Sequence, residues 1–231
     1  MTHDAIDETI DLPVGAVELE GDLTIPAEAG GLVIFAHGSG SSRKSPRNRF
    51  VADELNDEGL GTLLFDLLTA EEEREDAVDA HLRFDIPLLA DRLGEVTDWL
   101  AEYEPTAELC YGYFGSSTGA AAALIAAADR PDEIQAVVSR GGRVDLADEA
   151  LTDVRAATLC IVGGQDHQVL QLNQEALRHI PGPRKLEVVP GATHLFEEPG
   201  ALQEVARLAG EWFVRYLTIE PGRPRPPLEG V

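Results

Sequence analysis

Residues 115–119 read Gly115-Ser116-Ser117-Thr118-Gly119, between an apolar run at 109–114 and an alanine-rich run at 118–128. The first run predicts a buried strand and the second a helix of small residues suited to close packing on a sheet. A G-x-S-x-G string on a strand-to-helix turn is a nucleophile elbow. The turn lifts the hydroxyl of Ser117 off the sheet and aims the amide of Thr118 at whatever that oxygen attacks. Gly and Ser are common, so the five letters take their value from the rest of the chain.

Outward from the elbow, strand and helix signals alternate. Strands are predicted at 31–36, 60–67, 109–114, 134–139, 157–162 and 185–189. Residues 14–20 and 22–25 suggest a short hairpin around Gly21. Helices are predicted at 46–58, with Ser45 as N-cap and Pro46 in the first position, and at 85–102, where Leu89, Leu93, Val96 and Leu100 recur at helical spacing. Further helices fit 118–128, 145–151, 169–179 and 202–217. The acidic run 71–79 fits a solvated helix face or a loop, and the polar stretch 69–82 is a candidate cover for a pocket. The expected fold is α/β, with a mostly parallel sheet of about eight strands, the first pair antiparallel, and helices on both faces. Residues 1–218 form one domain in this reading, and 219–231 a proline-rich, extended tail.

The 231 residues carry a formal net charge of −24, and only Lys44 and Lys185 are lysines. Such a surface repels nucleic acid and anionic membranes, which excludes both as partners. Acidic excess with few lysines suggests a surface suited to high salt, where screening relieves self-repulsion. The first residues, MTHDAIDETIDL, have neither a basic start nor an apolar stretch, so no secretion signal is expected. No run is long enough to span a bilayer. Cys110 and Cys160 each sit in an apolar run and read as buried thiols rather than a bridge or metal pair, which fits a cytoplasmic protein.

In a parallel sheet, ligands gather at the carboxyl ends of the strands. Four loops there carry chemistry: His37-Gly38-Ser39-Gly40, the elbow, Gly163-Gly164-Gln165-Asp166-His167, and Pro190-Gly191-Ala192-Thr193-His194. A serine hydroxyl needs a base to take its proton, and that base needs a carboxylate to fix its tautomer. Ser117, His194 and Asp166 fill these roles. The amides of Ser39 and Thr118 are assigned to the oxyanion. His37 and Gly38 support the shape of the first loop. No nucleotide-binding glycine string follows a strand, and the spacing of His37, Asp166, His167 and His194 is not that of metal ligands. Neither cofactor nor metal is expected.

The strings HGSG (37–40), GSSTG (115–119), GGQD (163–166) and GATH (191–194), in the order Ser, Asp, His, resemble the α/β-hydrolase superfamily. More narrowly, the chain from about 12 to 217 is similar to its dienelactone-hydrolase-related branch. SRKSPRNR (42–49), FDIPLLADRL (84–93) and GATHLFEEPG (191–200) resemble a subgroup of small hydrolases. Some of its members are fused to phosphoribosyltransferase domains, which no stretch of this sequence resembles. The resemblance implies hydrolysis of a small-molecule ester, lactone or related acyl bond through an acyl-enzyme. Dienelactone hydrolases themselves use a cysteine nucleophile and an activating glutamate after the third strand. Ser117 and the HGSG loop depart from both, which points away from dienelactone as substrate. A thioesterase or acyltransferase on the same triad, and a binding module that kept the fold, are the alternatives.

Arg43, Lys44, Arg47 and Arg49 cluster after the first loop in an otherwise acidic chain. Two readings stand. Arg43, Arg47 and Arg49 could hold a substrate carboxylate or phosphate. Ion pairing within the protein competes, and the abundance of Asp and Glu favours it.

Overall fold

A computed structural model describes residues 5–217. Eight strands form one sheet in the order β1-β2-β4-β3-β5-β6-β7-β8. They are β1 (Ile6–Val14), β2 (Val17–Ile25), β3 (Gly31–Ala36), β4 (Gly61–Phe65), β5 (Cys110–Ser116), β6 (Ile134–Arg140), β7 (Ala157–Gly163) and β8 (Arg184–Val189). β1 and β2 pair antiparallel, β2 pairs antiparallel with β4, and all pairings from β4 to β8 are parallel. The helices are α1 (Pro46–Asp57), α2 (Ala70–Asp79), α3 (Ile86–Glu102), α4 (Thr118–Asp129), α5 (His167–Ala176) and α6 (Ala201–Leu217). The expected α/β-hydrolase architecture is therefore present. The expected tail at 219–231 lies outside the described residues.

The central strands are buried on both faces, and their alternation sorts the core into two layers. Leu32 and Ile34 of β3 and Tyr113 of β5 join Leu93, Val96 and Leu100 of α3 and Leu124 of α4. Val33, Phe35, Phe114 and Val138 face the other way, against Val51 of α1 and Val205 and Phe213 of α6. This two-sided burial explains why the central strands read as continuous apolar runs.

The hairpin differs from the expectation. It runs through Ile6–Val14 and Val17–Ile25, with its turn at Gly15-Ala16, not at Gly21. Leu12, Val14, Leu19, Leu23 and Ile25 are buried at every second position, and that alternation passes straight through Gly21. Gly21 marks a close approach instead: a Cβ there would lie 2.9 Å from Leu63 Cδ1. The expected helix at 145–151 is two short 3₁₀ turns within Val144–Asp153, broken at Asp148, where φ is 45° and ψ −121°.

The acidic run is a helix. Thr69 caps α2 by accepting the Glu72 amide, Glu72 accepts the Thr69 amide in return, and the Glu72 carboxylate pairs with Arg92 of α3 at 2.5 Å. Among the described residues no helix is long and apolar enough to cross a membrane. No disulfide joins Cys110 and Cys160, and burial pushes the Cys160 thiol up to about 12.

Candidate active site

Ser117 stands between β5 and α4 with φ 51° and ψ −119°. A residue with a Cβ reaches this region only under constraint, at a cost of about 1–3 kcal/mol. The constraints are visible. Ser117 N–H donates to the carbonyl of Arg140 on β6 at 3.3 Å, and Ser117 O accepts from Arg143 N–H at 2.9 Å and Ala120 N–H at 3.2 Å. The second glycine of the motif is a packing requirement: a Cβ on Gly119 would sit 2.2 Å from Ala36 O. The elbow thus follows from a tight β5–α4 junction pressed against the end of β3. The 12-residue helix α4 begins right after Ser117, and its N-terminus favours negative charge at that spot.

Asp166 and His194 meet as expected. Asp166 ends the β7 loop and caps α5, accepting the amide of Val169 at 3.4 Å. Its other oxygen lies 2.7 Å from His194 Nδ1. A carboxylate in that position accepts the Nδ1 proton and leaves Nε2 as the basic nitrogen. The imidazole packs over the turn after β6, where a Cβ on Gly141 would lie 3.4 Å from Nδ1.

The first loop is organised by His37. Its Nε2 accepts Leu67 N–H at 3.1 Å, so Nδ1 carries the proton and donates to Gly38 O at 3.0 Å. Burial holds the His37 pKa below the ordinary histidine value. Gly38 abuts the nucleophile: a Cβ there would be 3.1 Å from Ser117 Cβ. Ser39 differs from the simple expectation. Its amide is already engaged, donating to Thr118 Oγ1 at 3.0 Å. The two residues assigned to the oxyanion are in contact, and the Ser39 amide reaches an oxyanion only by sharing or exchanging that hydroxyl.

A cavity of about 620 Å³ opens beside this loop, within the range of small-molecule sites. Gly38, Ser39, Lys44 and Arg47 line one side, and Leu67, Leu68 and Leu89 give it an apolar floor. Glu73 and Asp76 of α2, with Arg83, also line it, so the 69–82 stretch does flank the pocket. Ser117, Asp166 and His194 lie outside this lining, and Ser117 adjoins it behind Gly38.

The basic cluster comes apart. Arg43 is buried and pairs with Glu20, Asp22 and Asp66, so it is part of the scaffold and not of an anion site. Arg49 pairs with Asp22 at 2.8 Å on the outer surface. Only Arg47 and Lys44 reach the cavity, and Arg47 contacts Glu197 at 3.2 Å. His167 is exposed at the start of α5, and His37 is bound to Leu67, so the histidines do not converge on a metal. Asp76, Asp79 and His81 place ligand-type atoms within 4.8 Å of one another, but Asp76 is taken by Arg83 and two amides.

Sequence reasoning missed the loop after β6. Ser139-Arg140-Gly141-Gly142-Arg143 supplies the carbonyl that fixes Ser117, the amide that binds Ser117 O, and the surface under His194. The signal was present: two glycines one residue past a predicted strand mark close backbone approach.

No family model matches the sequence. A dienelactone hydrolase from Anabaena variabilis is 57% identical, with a TM-score of 0.91 over 93% of this chain and 100% of that one. Two Mycobacterium tuberculosis proteins with the provisional name phosphoribosyl transferase are 58% identical over 211 residues, 91% of this chain. The chain spans about half the length of these curated relatives, 47%. Est1E from Butyrivibrio proteoclasticus shares the fold at 16% identity, with a TM-score of 0.74 over 90% of this chain and 98% of that one.

Proposed function

The chain belongs to the dienelactone-hydrolase-related branch of the α/β-hydrolases, and on that premise we propose that it cleaves a small carboxylic ester, lactone or related acyl bond with Ser117 as nucleophile. The observation that carries this reading is the strained backbone of Ser117, on the same sheet edge as the 2.7 Å His194–Asp166 pair. Strain at one serine, on the sheet edge that also carries an oriented imidazole, has no use in a merely structural turn.

In the proposed reaction Ser117 Oγ attacks the acyl carbon while His194 Nε2 takes its proton. Asp166 holds the Nδ1 proton and stabilises the imidazolium. The Thr118 amide, at the positive end of α4, stabilises the oxyanion, and the Ser39 amide joins it by exchanging its bond to Thr118 Oγ1. His194 then protonates the leaving group. Water, activated by His194, attacks the acyl-enzyme and frees Ser117. Neither cofactor nor metal enters these steps. The provisional transferase name belongs to relatives about twice as long, of which this chain matches 47%.

Labelling with a fluorophosphonate tests the assignment. Covalent modification is expected at Ser117 and is lost in Ser117→Ala. A folded wild-type protein that stays unlabelled and hydrolyses no p-nitrophenyl ester or lactone would end this reading.

A further inference from the structure

Asn173 is an amide where the pattern of its helix calls for an apolar residue. Val169, Asn173 and Ala176 form the buried face of α5, and Asn173 is wholly excluded from solvent. Both Nδ2 hydrogens are engaged. One is donated to Gly142 O, in the loop after β6, at 2.8 Å, and the other to Val169 O, one turn back, at 2.9 Å. Among the described residues its Oδ1 has no partner. A buried acceptor left unmatched costs free energy that a leucine would not. Val169 O already has a place in the helix ladder, so the bond to Gly142 is what the amide adds.

That bond acts on the nucleophile through one rigid unit. Gly142 O and Arg143 N–H belong to the same planar peptide group and point in opposite directions across it. Asn173 holds the carbonyl, and the N–H donates to Ser117 O at 2.9 Å. A hydrogen bond accepted at the carbonyl also polarises the group and strengthens its N–H as a donor. The unit is closely packed, since a Cβ on Gly142 would lie 2.5 Å from Ala120 Cβ of α4. Its neighbour Gly141 underlies the His194 ring. At the other end of the amide is the first turn of α5, where Asp166 accepts Val169 N–H at 3.4 Å. One side chain thus links the turn that carries the acid to the peptide that grips the nucleophile's backbone.

We infer that Asn173 is a positioning residue. Through the 142–143 peptide it holds Ser117 in its strained conformation and keeps it in register with Asp166 at the start of α5. It touches no reacting atom. The turnover arm of its test rests on the Ser117 reading, and the stability arm does not.

Asn173→Leu removes both donors at similar volume, and Asn173→Ala serves if the leucine variant does not fold. With p-nitrophenyl butyrate, kcat should fall by on the order of ten- to a hundredfold with KM little changed, the pattern of a misplaced reacting group. Fluorophosphonate labelling of Ser117 should slow by a similar factor. A residue that merely packs the core would leave kcat of the folded variant as it was. The stability arm compares urea unfolding of Ser117→Gly in the wild-type and Asn173→Leu backgrounds. The glycine should raise the midpoint in the first and leave it unchanged in the second, where the strain is already released. An unchanged kcat, an equal rise in both backgrounds, or no rise in either would overturn the role of Asn173. If wild type neither hydrolyses the ester nor takes the label, the Ser117 reading fails, and the urea comparison alone decides the positioning.

Discussion

Arg43 and Arg140 are buried to almost the same degree, 8% and 9% exposed, and their surroundings are opposite. Arg43 pairs with the carboxylates of Asp66, Glu20 and Asp22, although its Nε makes no hydrogen bond, and it ties the first loop to β2 and the end of β4. Arg140 has none of this, and it sits where Ser117 is strained and the His194 ring is partly open to solvent. The contrast separates the two halves of the sheet edge. On the Arg43 side the buried cation is compensated by carboxylates within the protein, and the result is scaffold. On the Arg140 side groups are left unsatisfied, and the chemistry is expected there.

The largest expected effect tests the strained side. Ser117→Ala should lose ester turnover by on the order of 10⁴-fold or more while remaining folded. Ser117→Gly should be equally inactive and about 1 kcal/mol more stable in urea unfolding, because glycine accepts a positive φ. A glycine variant less stable than wild type would mean that the elbow stores no strain.

Next comes the pair of arginines. Arg43→Met should cost about 3 kcal/mol, because it strands carboxylates that were paired. Arg140→Met should be neutral or stabilising, because it removes a charge with no partner. Equal losses in denaturant titrations would erase the distinction drawn between them.

A smaller effect should come from His37. Its folded-state pKa is depressed, so on acidification the unfolded chain takes up the proton first. The contribution is therefore complete above about pH 6.5 and is lost as pH falls toward the folded value, by at most about 1.4 kcal/mol per pH unit. Stability measured at pH 7 and pH 5 should fall more in wild type than in His37→Gln. Identical slopes would show that the imidazole does not hold the loop through Leu67.

The smallest and most diffuse effect concerns the whole surface. With a net charge of −24, the melting temperature should rise from low to molar salt. A fall would remove the salt-adapted reading of the composition.

Most of the fold was legible because the signals were local. The apolar runs of β3, β5 and β7, the Ser45 cap and the leucine spacing of α3 each act within a few residues. The hairpin was misplaced because a glycine reads as a turn until its cross-strand neighbours are known. In the site, the Ser117, Asp166 and His194 positions followed from loops at strand ends. The arginines did not follow: Arg43, Arg47 and Arg49 look alike in sequence, and only their partners tell scaffold from pocket.

By itself, then, the sequence determined the strand and helix alternation, the elbow motif and the order of the candidate residues. These depend on periodicity and backbone preference, which are short-range. Tertiary structure alone decided that Arg140 is a buried cation without a partner, that Ser39 is held by Thr118, and that the pocket lies between the first loop and α2. Electrostatic compensation depends on which charges meet across the fold, over separations such as the 150 residues between Arg47 and Glu197, and no local pattern encodes it.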